Sequence, residues 1–510
     1  MAEAQAPTFT LRRAIAAGGI MAMSNFMVVL DTSIANVSVP HISGSLAVAP
    51  DQGTWVITSY SVAEAICVPL TGWLVQRFGA VRTYIACMIG FALFSMLCGV
   101  SVSLGMLVAA RVGQGLCGGP IMPITQTLLL RVFPPKQRGT AMGLWAMTTV
   151  VAPVAGPLLG GTISDNWSWH WIFFINIPIA VACVTGAILM LRQVETPTNK
   201  VKIDFVGLVL LVVWVGALQI MLDIGRDNDW FSSAKIQALG IVALVGFAFF
   251  IIWEITADQP VVNLRVFRHR GFTFAVIALA LIYGTLFSSV VVTPQWLQGA
   301  MGYTAADAGY VLAWQGVFAV VMAPLVGRLS GSGKVDPRML VTAGTLWLAM
   351  SVALRTHWST DVGYWTLAIP HILNGFGMPL FFVPITFICL SSVDPAETAS
   401  AAGLSNFVRT LSGAVGTSFA TTLFANRAVI DRADLVNIVQ PPAAFADGLA
   451  QRGIGAEQAR GLLSTLIDQQ ATVIAITQLF QIAAVAFVIA AVAIWFVPRP
   501  KRAASMEGAH

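Results

Sequence analysis

Apolar residues along this chain fall into long runs that short polar stretches separate. Each run is about 20 residues long, the length that an α-helix needs to cross roughly 30 Å of hydrocarbon. There are 14 such runs, at about 14–39, 52–75, 83–103, 104–128, 139–163, 171–191, 204–223, 236–256, 272–294, 307–327, 339–356, 362–390, 400–424 and 471–497. The pattern predicts an all-α polytopic membrane protein with 14 transmembrane helices.

The basic residues give this predicted topology a direction. An even number of spans puts both termini on one side, and if that side is the cytoplasm, 19 of the 28 Lys and Arg lie in cytoplasmic segments. Seven fall outside, four of them in the long stretch 426–470, where the positive-inside bias is weakest. Two, Arg111 and Arg409, lie within spans. The distribution therefore predicts cytoplasmic N and C termini.

Composition supports a membrane protein and excludes several other classes. Hydrophobic residues make up 57% of the chain and charged residues 10%, with a mean hydropathy of +0.80, which is far from a soluble globular chain. The basic residues form no cluster, so a nucleic-acid partner is not indicated. The six Cys lie in predicted spans without metal-ligand spacing, so no metal site is predicted. No Gly-x-x-x-x-Gly-Lys-[Ser/Thr] loop is present in the sequence, which argues against ATP drive and leaves the chain without a predicted cofactor.

The chain repeats itself internally. An offset of 260 positions aligns Arg111-x-x-Gln114-Gly115 with His371-x-x-Asn374-Gly375, and the same offset aligns further Gly and Pro residues. This predicts two related six-helix bundles, 1–203 and 259–510, in parallel orientation. Two further spans, 204–258, have no counterpart and are predicted to be an insertion between the bundles.

One external segment is long. The predicted periplasmic loop 426–470 contains Pro441-Pro442 and an expected amphipathic helix from Ala456 to Gln470. We expect it to dock a periplasmic partner, through a stripe that includes Leu463 and Ile467, or else to fold back as a lid over the outer mouth.

Ionisable side chains within apolar spans are costly unless they are paired or hydrated, so each is a functional candidate. Asp31 and Arg111 both lie roughly 10 Å below the outer surface by helical rise. A buried Asp31–Arg111 ion pair is therefore predicted. Embedded carboxylates concentrate in the first half, which places the expected proton handling there.

Glu64 and Arg409 each admit two interpretations. Glu64 lies near the middle of its span with no evident cationic partner, so its carboxyl group is expected to hold a proton, as a proton carrier would. Alternatively, it is a neutral side chain bonded to a neighbouring backbone or hydroxyl group. Arg409 is either a cation of the substrate or proton site, or a structural donor to carbonyl groups, the reading we favour.

Two Gly-rich segments are expected to govern conformational change. In the turn from Gly72 to Arg82, Gly72 and Gly79 permit a tight turn, and Arg77 and Arg82 can dock on helix C-termini. Span five is expected to be kinked by prolines and to lie close to a second-half helix through small residues. The span-five residues concerned are Pro153, Gly156, Pro157, Gly160 and Gly161.

These motifs resemble the major facilitator superfamily over nearly all of the chain. Gly72 to Arg82 is similar to its loop 2–3 motif, although Gln76 stands where that motif usually has Asp. Leu107-x-x-x-Arg111-x-x-Gln114-Gly115 and Ala152 to Gly161 resemble its span-four and antiporter motifs. Leu30-Asp31-Thr32-Ser33-Ile34-Ala35-Asn36-Val37-Ser38-Val39-Pro40 resembles the 14-span drug:H⁺ antiporter branch. Trp171-Ile172-Phe173-Phe174-Ile175-Asn176-Ile177-Pro178 and other stretches resemble EmrB-type efflux pumps.

The resemblance implies a secondary antiporter that exports hydrophobic or amphipathic compounds across a bacterial inner membrane, driven by the proton gradient. It implies a periplasmic adaptor (membrane fusion) protein and an outer-membrane channel as partners. Proton coupling would involve Asp31, Glu64 and Arg111. The residues expected to line the substrate cavity are Asn25, Trp55, Tyr60, Gln126, Tyr283, Gln295, Trp314, Asn374, Phe381 and Arg409.

Other functions remain open at the level of sequence. The chain is alternatively a dedicated transporter of one metabolite, such as a fatty acid or a siderophore. A membrane enzyme would need a clustered His/Asp or Ser/His constellation, but the six His are scattered along the chain. A scaffold would have no need of charges buried in lipid spans.

Overall fold

A computed structural model describes residues 10–134, 137–199, 201–331, 335–438 and 455–498. Its regular secondary structure in those ranges is helical. The α-helices are α1 Leu11–Ser45, α2 Pro50–Gly53, α3 Trp55–Cys67, α4 Thr71–Phe78, α5 Ala80–Gly99, α6 Leu104–Gly118, α7 Ile121–Val132, α8 Arg138–Asn166, α9 Trp171–Phe174, α10 Asn176–Met190, α11 Phe205–Ile224, α12 Ala234–Thr256, α13 Arg270–Gly299, α14 Ala305–Gly331, α15 Pro337–Leu354, α16 Tyr364–Ser391, α17 Thr398–Ile438 and α18 Ala456–Ala493.

Every predicted apolar run coincides with one helix or with two consecutive helices. The second run is divided between α3 and α4 at Pro69, and the fourth between α6 and α7 at Gly119-Pro120, because proline lacks an N–H and obstructs the preceding turn. Ten described helices are long and apolar enough to cross a membrane, or 11 if the bent α8 is included. A multi-pass, all-α membrane protein is thus confirmed, whereas the count of 14 spans and the cytoplasmic termini stay predictions.

Helix contacts fall into two groups that follow the internal repeat. In the first group α1 packs against α7, α8 and α10, and α6 packs against α3 and α5. In the second group α13 packs against α17 and α18, and α16 packs against α14 and α15. The exact boundaries of the two halves, 1–203 and 259–510, stay predictions.

The two groups meet where α8 contacts α14 and α16, and where α17 contacts α4 and α7. A Cβ added at Gly143 of α8 would lie 2.7 Å from the carbonyl oxygen of Ala323 on α14. A Cβ at Gly327 would lie 2.6 Å from the carbonyl oxygen of Gly139. Glycine therefore lets α8 and α14 approach at backbone distance, at the end of the molecule that carries the α4–α5 turn.

The inserted helices do more than connect the halves. α11 packs against α12 and also against α3 and α17. Ser418 Oγ of α17 donates to the carbonyl oxygen of Leu222 at 2.9 Å, and Trp230 Nε1 donates to Thr422 Oγ1 at 3.0 Å. The insertion thus covers the seam between a first-half and a second-half helix.

The predicted external loop 426–470 is largely helical in its described parts. α17 continues to Ile438, and α18 begins at Ala456, which confirms the amphipathic helix from Ala456 to Gln470. We call 425–438 and 456–470 the paired extensions, since Arg432 forms an ion pair with Asp468 and donates to Ser464 Oγ at 3.3 Å. Pro441-Pro442 lies outside the described residues.

Candidate functional site

Asp31 and Arg111 form the predicted ion pair. Arg111 Nη1 lies 2.6 Å from Asp31 Oδ2, and both side chains are fully buried. Gln114 Nε2 donates to Asp31 Oδ1 at 2.9 Å, and Asn176 Nδ2 donates to the same oxygen at 2.6 Å. Arg111 Nε donates to the Val56 carbonyl oxygen at 3.0 Å. Both charges are therefore compensated in the interior, as a buried pair requires.

Two members of this network were not assigned to the site from the sequence. Gln114 belongs to the span-four motif, and Asn176 is a polar residue at the start of the otherwise apolar α10, which was its only signal. Tyr60 also belongs here, because the Arg111 guanidinium lies 4.2 Å from the centre of its ring. Tyr60 does not line the small cavity described below, and its assignment to a substrate cavity stays a prediction.

Glycines on α6 and in the α6–α7 break bring this network close to α3. A Cβ at Gly115 would lie 2.5 Å from the Tyr60 carbonyl oxygen, and a Cβ at Gly119 would lie 2.9 Å from that of Glu64. Larger residues would push α6 away from α3. The span-four motif thus fixes the distance between the Arg111 network and Glu64.

Glu64 lies on α3 one turn beyond Tyr60 and is half-buried. Its carboxyl group makes no side-chain hydrogen bond within the described residues, so the hydrogen-bonded interpretation is not observed. The positive charges of Arg409 on α17 and of Arg111 act on this carboxyl group electrostatically. Neither arginine forms an ion pair with Glu64 among the described residues, and Arg409, which has the larger effect, comes from the other half of the chain.

Arg409 is buried in an aromatic cage that both halves build. Its Cζ lies 5.1 Å from the ring centre of Trp145, 5.4 Å from that of Tyr283 and 5.9 Å from that of Phe382. Nη2 lies 2.8 Å from Met122 Sδ, and Nη1 has no hydrogen-bond partner among the described residues. The expected role as a donor to carbonyl groups is wrong, and cation–π attraction holds the guanidinium instead.

An apolar cavity adjoins this cage. Its lining residues are Thr149, Pro153, Tyr283, Leu286, Phe287, Val290, Leu312, Gln315, Met378 and Phe382. Its volume is about 30 Å³, whereas a single water molecule needs roughly 10–15 Å³. In this conformation the cavity is closed to any drug-sized compound, so a cargo requires the halves to separate.

Of the predicted cavity residues, Tyr283 lines this cavity and Arg409 touches its wall. Asn374 lies one layer behind, where its Nδ2 donates to Gln315 Oε1 at 3.2 Å. Phe381 packs behind Phe382, with ring centres 5.5 Å apart. Asn374 and Phe381 therefore lie directly behind the lining residues Gln315 and Phe382, and their assignment to a substrate cavity stays a prediction.

The other residues predicted for the substrate cavity do not line this small cavity, and their assignment stays a prediction. Asn25 is buried and donates to Thr148 Oγ1 at 2.6 Å, tying α1 to α8. Gln126 Oε1 accepts from Asn406 Nδ2 at 2.7 Å, which joins α7 to α17. Trp55 and Gln295 are exposed, and Trp314 donates to Tyr364 Oη at 3.0 Å. Helical rise predicts the depth of a residue, whereas its direction depends on helix rotation, which packing sets.

The helix before the Gly79 turn, α4, contacts the second half of the chain. A Cβ at Gly72 would lie 3.0 Å from Ser400 Cα on α17, and Gly79 adopts φ +91°, which suits glycine. Arg77 Nη1 donates to the carbonyl oxygen of Val201 at 2.8 Å. Arg77 is therefore held by the segment after α10, and not by a helix C-terminus.

Glu195 provides an acid next to this turn. Its carboxylate accepts from the backbone N–H groups of Val81 and Arg82, at 2.9 and 3.1 Å, at the N-terminus of α5, where a negative charge is favourable. The Arg82 residue is thus held through its backbone. Sequence reasoning missed Glu195, because more than 100 positions separate it from the turn.

The expectation for span five needs a correction. The axis of α8 bends by 42° between Arg138–Pro153 and Ala155–Asn166, as its prolines predict. However, a Cβ at Gly156 would collide with Ser33, and one at Gly160 would lie 3.0 Å from the Ile34 carbonyl oxygen. These glycines pack α8 against α1 of the same half, Pro157 is half-buried, and Gly161 faces open space. Gly143 makes the contact with the second half.

We therefore expect Gly143→Leu to lower the export of every cargo by a similar factor, at least tenfold, because it forces α8 away from α14. Gly161→Leu is the matched control on the same helix, with no atom within 4 Å of its Cβ, and should keep wild-type rates. Initial rates for two chemically different dyes in proteoliposomes provide the measurement. A change in the ratio of the two rates would instead assign Gly143 to cargo selection.

A group of side chains outside the spans has metal-ligand types. His269, Asp394 and Glu397 place their ligand atoms within 4.8 Å of one another. Arg268 Nη2 lies 3.3 Å from Asp394 Oδ2 and 3.1 Å from Glu397 Oε1, and His269 Nε2 lies 2.9 Å from Glu397 Oε2. These ion pairs account for the group as a link between the starts of α13 and α17.

Comparison with known proteins identifies the class of the molecule. The family model of the Major Facilitator Superfamily matches residues 21–417. The crystal structure of the human organic anion transporter TETRAN has the same fold, with a TM-score of 0.57 at 13% identity, covering 93% of this chain and 99% of that one.

The sequence relatives are closer. The multidrug export protein EmrB of Escherichia coli K12 is 44% identical over 485 residues, 94% of each chain. The fatty acid resistance protein FarB of Neisseria gonorrhoeae is 42% identical over 484 residues, 94% of this chain and 95% of its own. The chain belongs to the Major Facilitator Superfamily, and within it to the family of EmrB-type multidrug efflux transporters.

Proposed function

We propose that this protein exports hydrophobic and amphipathic compounds across the bacterial inner membrane in exchange for protons. The observation that carries the proposal is the position of Glu64. It is a half-buried carboxyl group without a hydrogen bond, and it interacts with Arg409 across the seam between the halves. A carboxyl group in that position can take up and release a proton. Its charge state changes the attraction between the two halves.

The proposed cycle uses this contact as its switch. Ionised Glu64 attracts Arg409, which favours the conformation in which α3 and α17 are close. Protonation removes the attraction, and the halves can then separate around the apolar cavity. Because Tyr283 and Phe382 belong both to the cage and to the cavity wall, an aromatic cargo that displaces them disturbs Arg409. This links cargo binding to the proton site.

Asp31 and Arg111 take a positioning role in this proposal. Asp31 and Arg111 balance each other's charge, Gln114 and Asn176 donate hydrogen bonds to Asp31, and Gln114 also accepts one from Arg111. Arg111 also holds the Tyr60 ring and the Val56 carbonyl group of α3, the helix that carries Glu64.

Reconstituted transport tests the proposal. Purified protein in proteoliposomes, with a pH-sensitive dye inside, is given a hydrophobic cationic dye and a proton gradient. We expect cargo movement against its gradient, with protons moving in the opposite direction. Cargo movement that ignores the proton gradient would overturn proton exchange while leaving transport itself intact.

A second candidate is the export of one acidic amphipath, such as a fatty acid. The unpartnered Nη1 of Arg409 beside an apolar cavity favours a carboxylate head group with a hydrocarbon tail. A relative 42% identical is named for fatty acid resistance. A susceptibility panel in a pump-deleted host separates the two, since protection against fatty acids alone would support this candidate.

We also propose that the paired extensions dock a periplasmic adaptor, which would connect the pump to an outer-membrane channel. Leu462 and Leu466 of α18 are exposed and adjacent on one face. Ile467 is buried and Leu463 is half-buried. The apolar stripe expected from the sequence is thus split between buried and exposed positions. The exposed positions, Leu462 and Leu466, are the ones that a partner can contact.

Replacing Leu462 and Leu466 with Asp is expected to reduce adaptor co-purification at least tenfold, because it puts two charges into an apolar contact. Transport by the isolated pump in liposomes should stay at the wild-type rate. Thr465→Asp adds a charge to an exposed polar position of the same helix and should leave co-purification unchanged. Loss of liposome transport with intact adaptor binding would make the extensions a lid.

A further inference from the structure

A second buried guanidinium group lies in the second half, away from the cavity. Arg355 directly follows α15 and is 1% exposed. Its Nε and Nη2 have no hydrogen-bond partner among the described residues, and no carboxylate of that part of the chain acts on it. A charge withdrawn from water without a counter-charge is strongly unfavourable. The site therefore lacks a negative charge to balance Arg355, and the described residues do not supply one.

Arg355, His371 and Trp296 lie around one aromatic ring, that of Trp358. The Arg355 Cζ is 5.9 Å from the ring centre of Trp358, and the His371 ring centre is 6.4 Å from it. Trp296 stacks on the ring of Trp358, with the two ring centres 5.5 Å apart. Both ring nitrogens of His371 and the Nε1 of Trp296 are buried without a partner in the described chain. Side chains from three separate elements, each with a buried nitrogen that has no partner in the described chain, thus surround the Trp358 ring.

The first half of the chain also contains a buried arginine, but that arginine has an acid. The internal repeat aligns Arg111 with His371, and the charge of Arg111 is met by Asp31 of α1. The first helix of the second half, α13, contains neither Asp nor Glu between Arg270 and Gly299. The second half thus has an imidazole at the position of Arg111, a buried arginine, Arg355, at the end of α15, and no acid on its first helix.

We propose that Arg355, His371 and Trp296 bind a small inorganic anion of the size and charge of chloride. The anion would replace the missing carboxylate and would accept from the guanidinium, the imidazole and the indole N–H groups. Trp358 and Phe480, whose ring centres lie 5.9 and 5.6 Å from the Arg355 Cζ, flank the guanidinium group, which favours a compact anion. A water molecule could satisfy the donors but would leave the charge uncompensated.

Thermal unfolding of the purified full-length protein tests this site. Sodium chloride is compared with sodium gluconate at equal ionic strength, since gluconate is too large to enter. We expect the wild-type unfolding midpoint to be higher in chloride by about 2–4 °C and to rise with chloride concentration. Arg355→Gln should remove this difference. Arg338→Gln should retain it, because Arg338 is a buried arginine of the same half with its own acid, Asp336, at 2.8 Å.

A second variant keeps the proposal testable if Arg355→Gln fails to fold. His371→Glu supplies a carboxylate beside Arg355, as Asp31 does beside Arg111. It should unfold at the same temperature in both salts, and at a higher temperature than the wild type in gluconate. Equal wild-type midpoints in the two salts would mean that only water occupies the site and would overturn the proposal. A chloride effect that persists in His371→Glu would do the same.

Discussion

Replacing Glu64 with Gln is expected to abolish proton-coupled export, lowering cargo-driven proton flux at least a hundredfold. Gln keeps the size of the side chain but can neither bind nor release a proton, and it removes the charge that attracts Arg409 across the seam. Because Glu64 has no hydrogen bond within the described residues, the protein should still fold and bind cargo. Proton flux in proteoliposomes and equilibrium dye binding are the two measurements.

Asp223→Asn provides the matched control. Asp223 is a second carboxylate in a predicted span, but it accepts a hydrogen bond from Gln219 Nε2 at 3.2 Å and does not contact the cavity lining. Its neutral variant should transport at the wild-type rate. Wild-type proton flux in Glu64→Gln would exclude Glu64 as the carrier, and loss of dye binding in that variant would indicate a structural role instead.

Asp31 and Arg111 are expected to be strongly coupled energetically. Removing one partner leaves the other charged and unpaired in a fully buried site, which costs about 3–5 kcal/mol, whereas removing both costs less than the sum. Asp31→Asn and Arg111→Ala should each lower stability and transport nearly as much as the double variant does. Because Gln114 and Asn176 also donate to Asp31, Arg111→Ala should be the milder of the two single changes.

The measurement is a double-mutant cycle on thermal stability and on transport rate in proteoliposomes. Asn25→Ala is a suitable reference, since Asn25 is buried in α1 like Asp31 but binds hydroxyl groups of α8 and no charge. It should show additive effects when combined with Arg111→Ala. Additive losses for Asp31→Asn with Arg111→Ala would mean that the ion pair does not contribute to the function.

The central features of the fold follow from local sequence properties. Apolar run length predicts each helix, because a segment in hydrocarbon must satisfy its backbone hydrogen bonds internally. Helical rise places Asp31 and Arg111 at one depth, and the cost of burying charge leaves few alternatives to pairing them. The prolines predict the bend of α8, and the turn at Gly79 follows from its glycine.

The rest depends on how helices rotate and on which ones meet, and neither is encoded locally. Rotation decides that Phe382 and not Phe381 faces the cavity, and that Gly156 faces α1 while Gly143 faces α14. Long-range packing brings Glu195 to the turn before α5, Asn176 to Asp31, and Arg409 to Glu64. The sequence by itself predicted which segments form long apolar helices and which of their charged residues share a depth. The tertiary structure decided which charges become partners, because a counter-charge in low dielectric acts only over the few ångströms that packing creates.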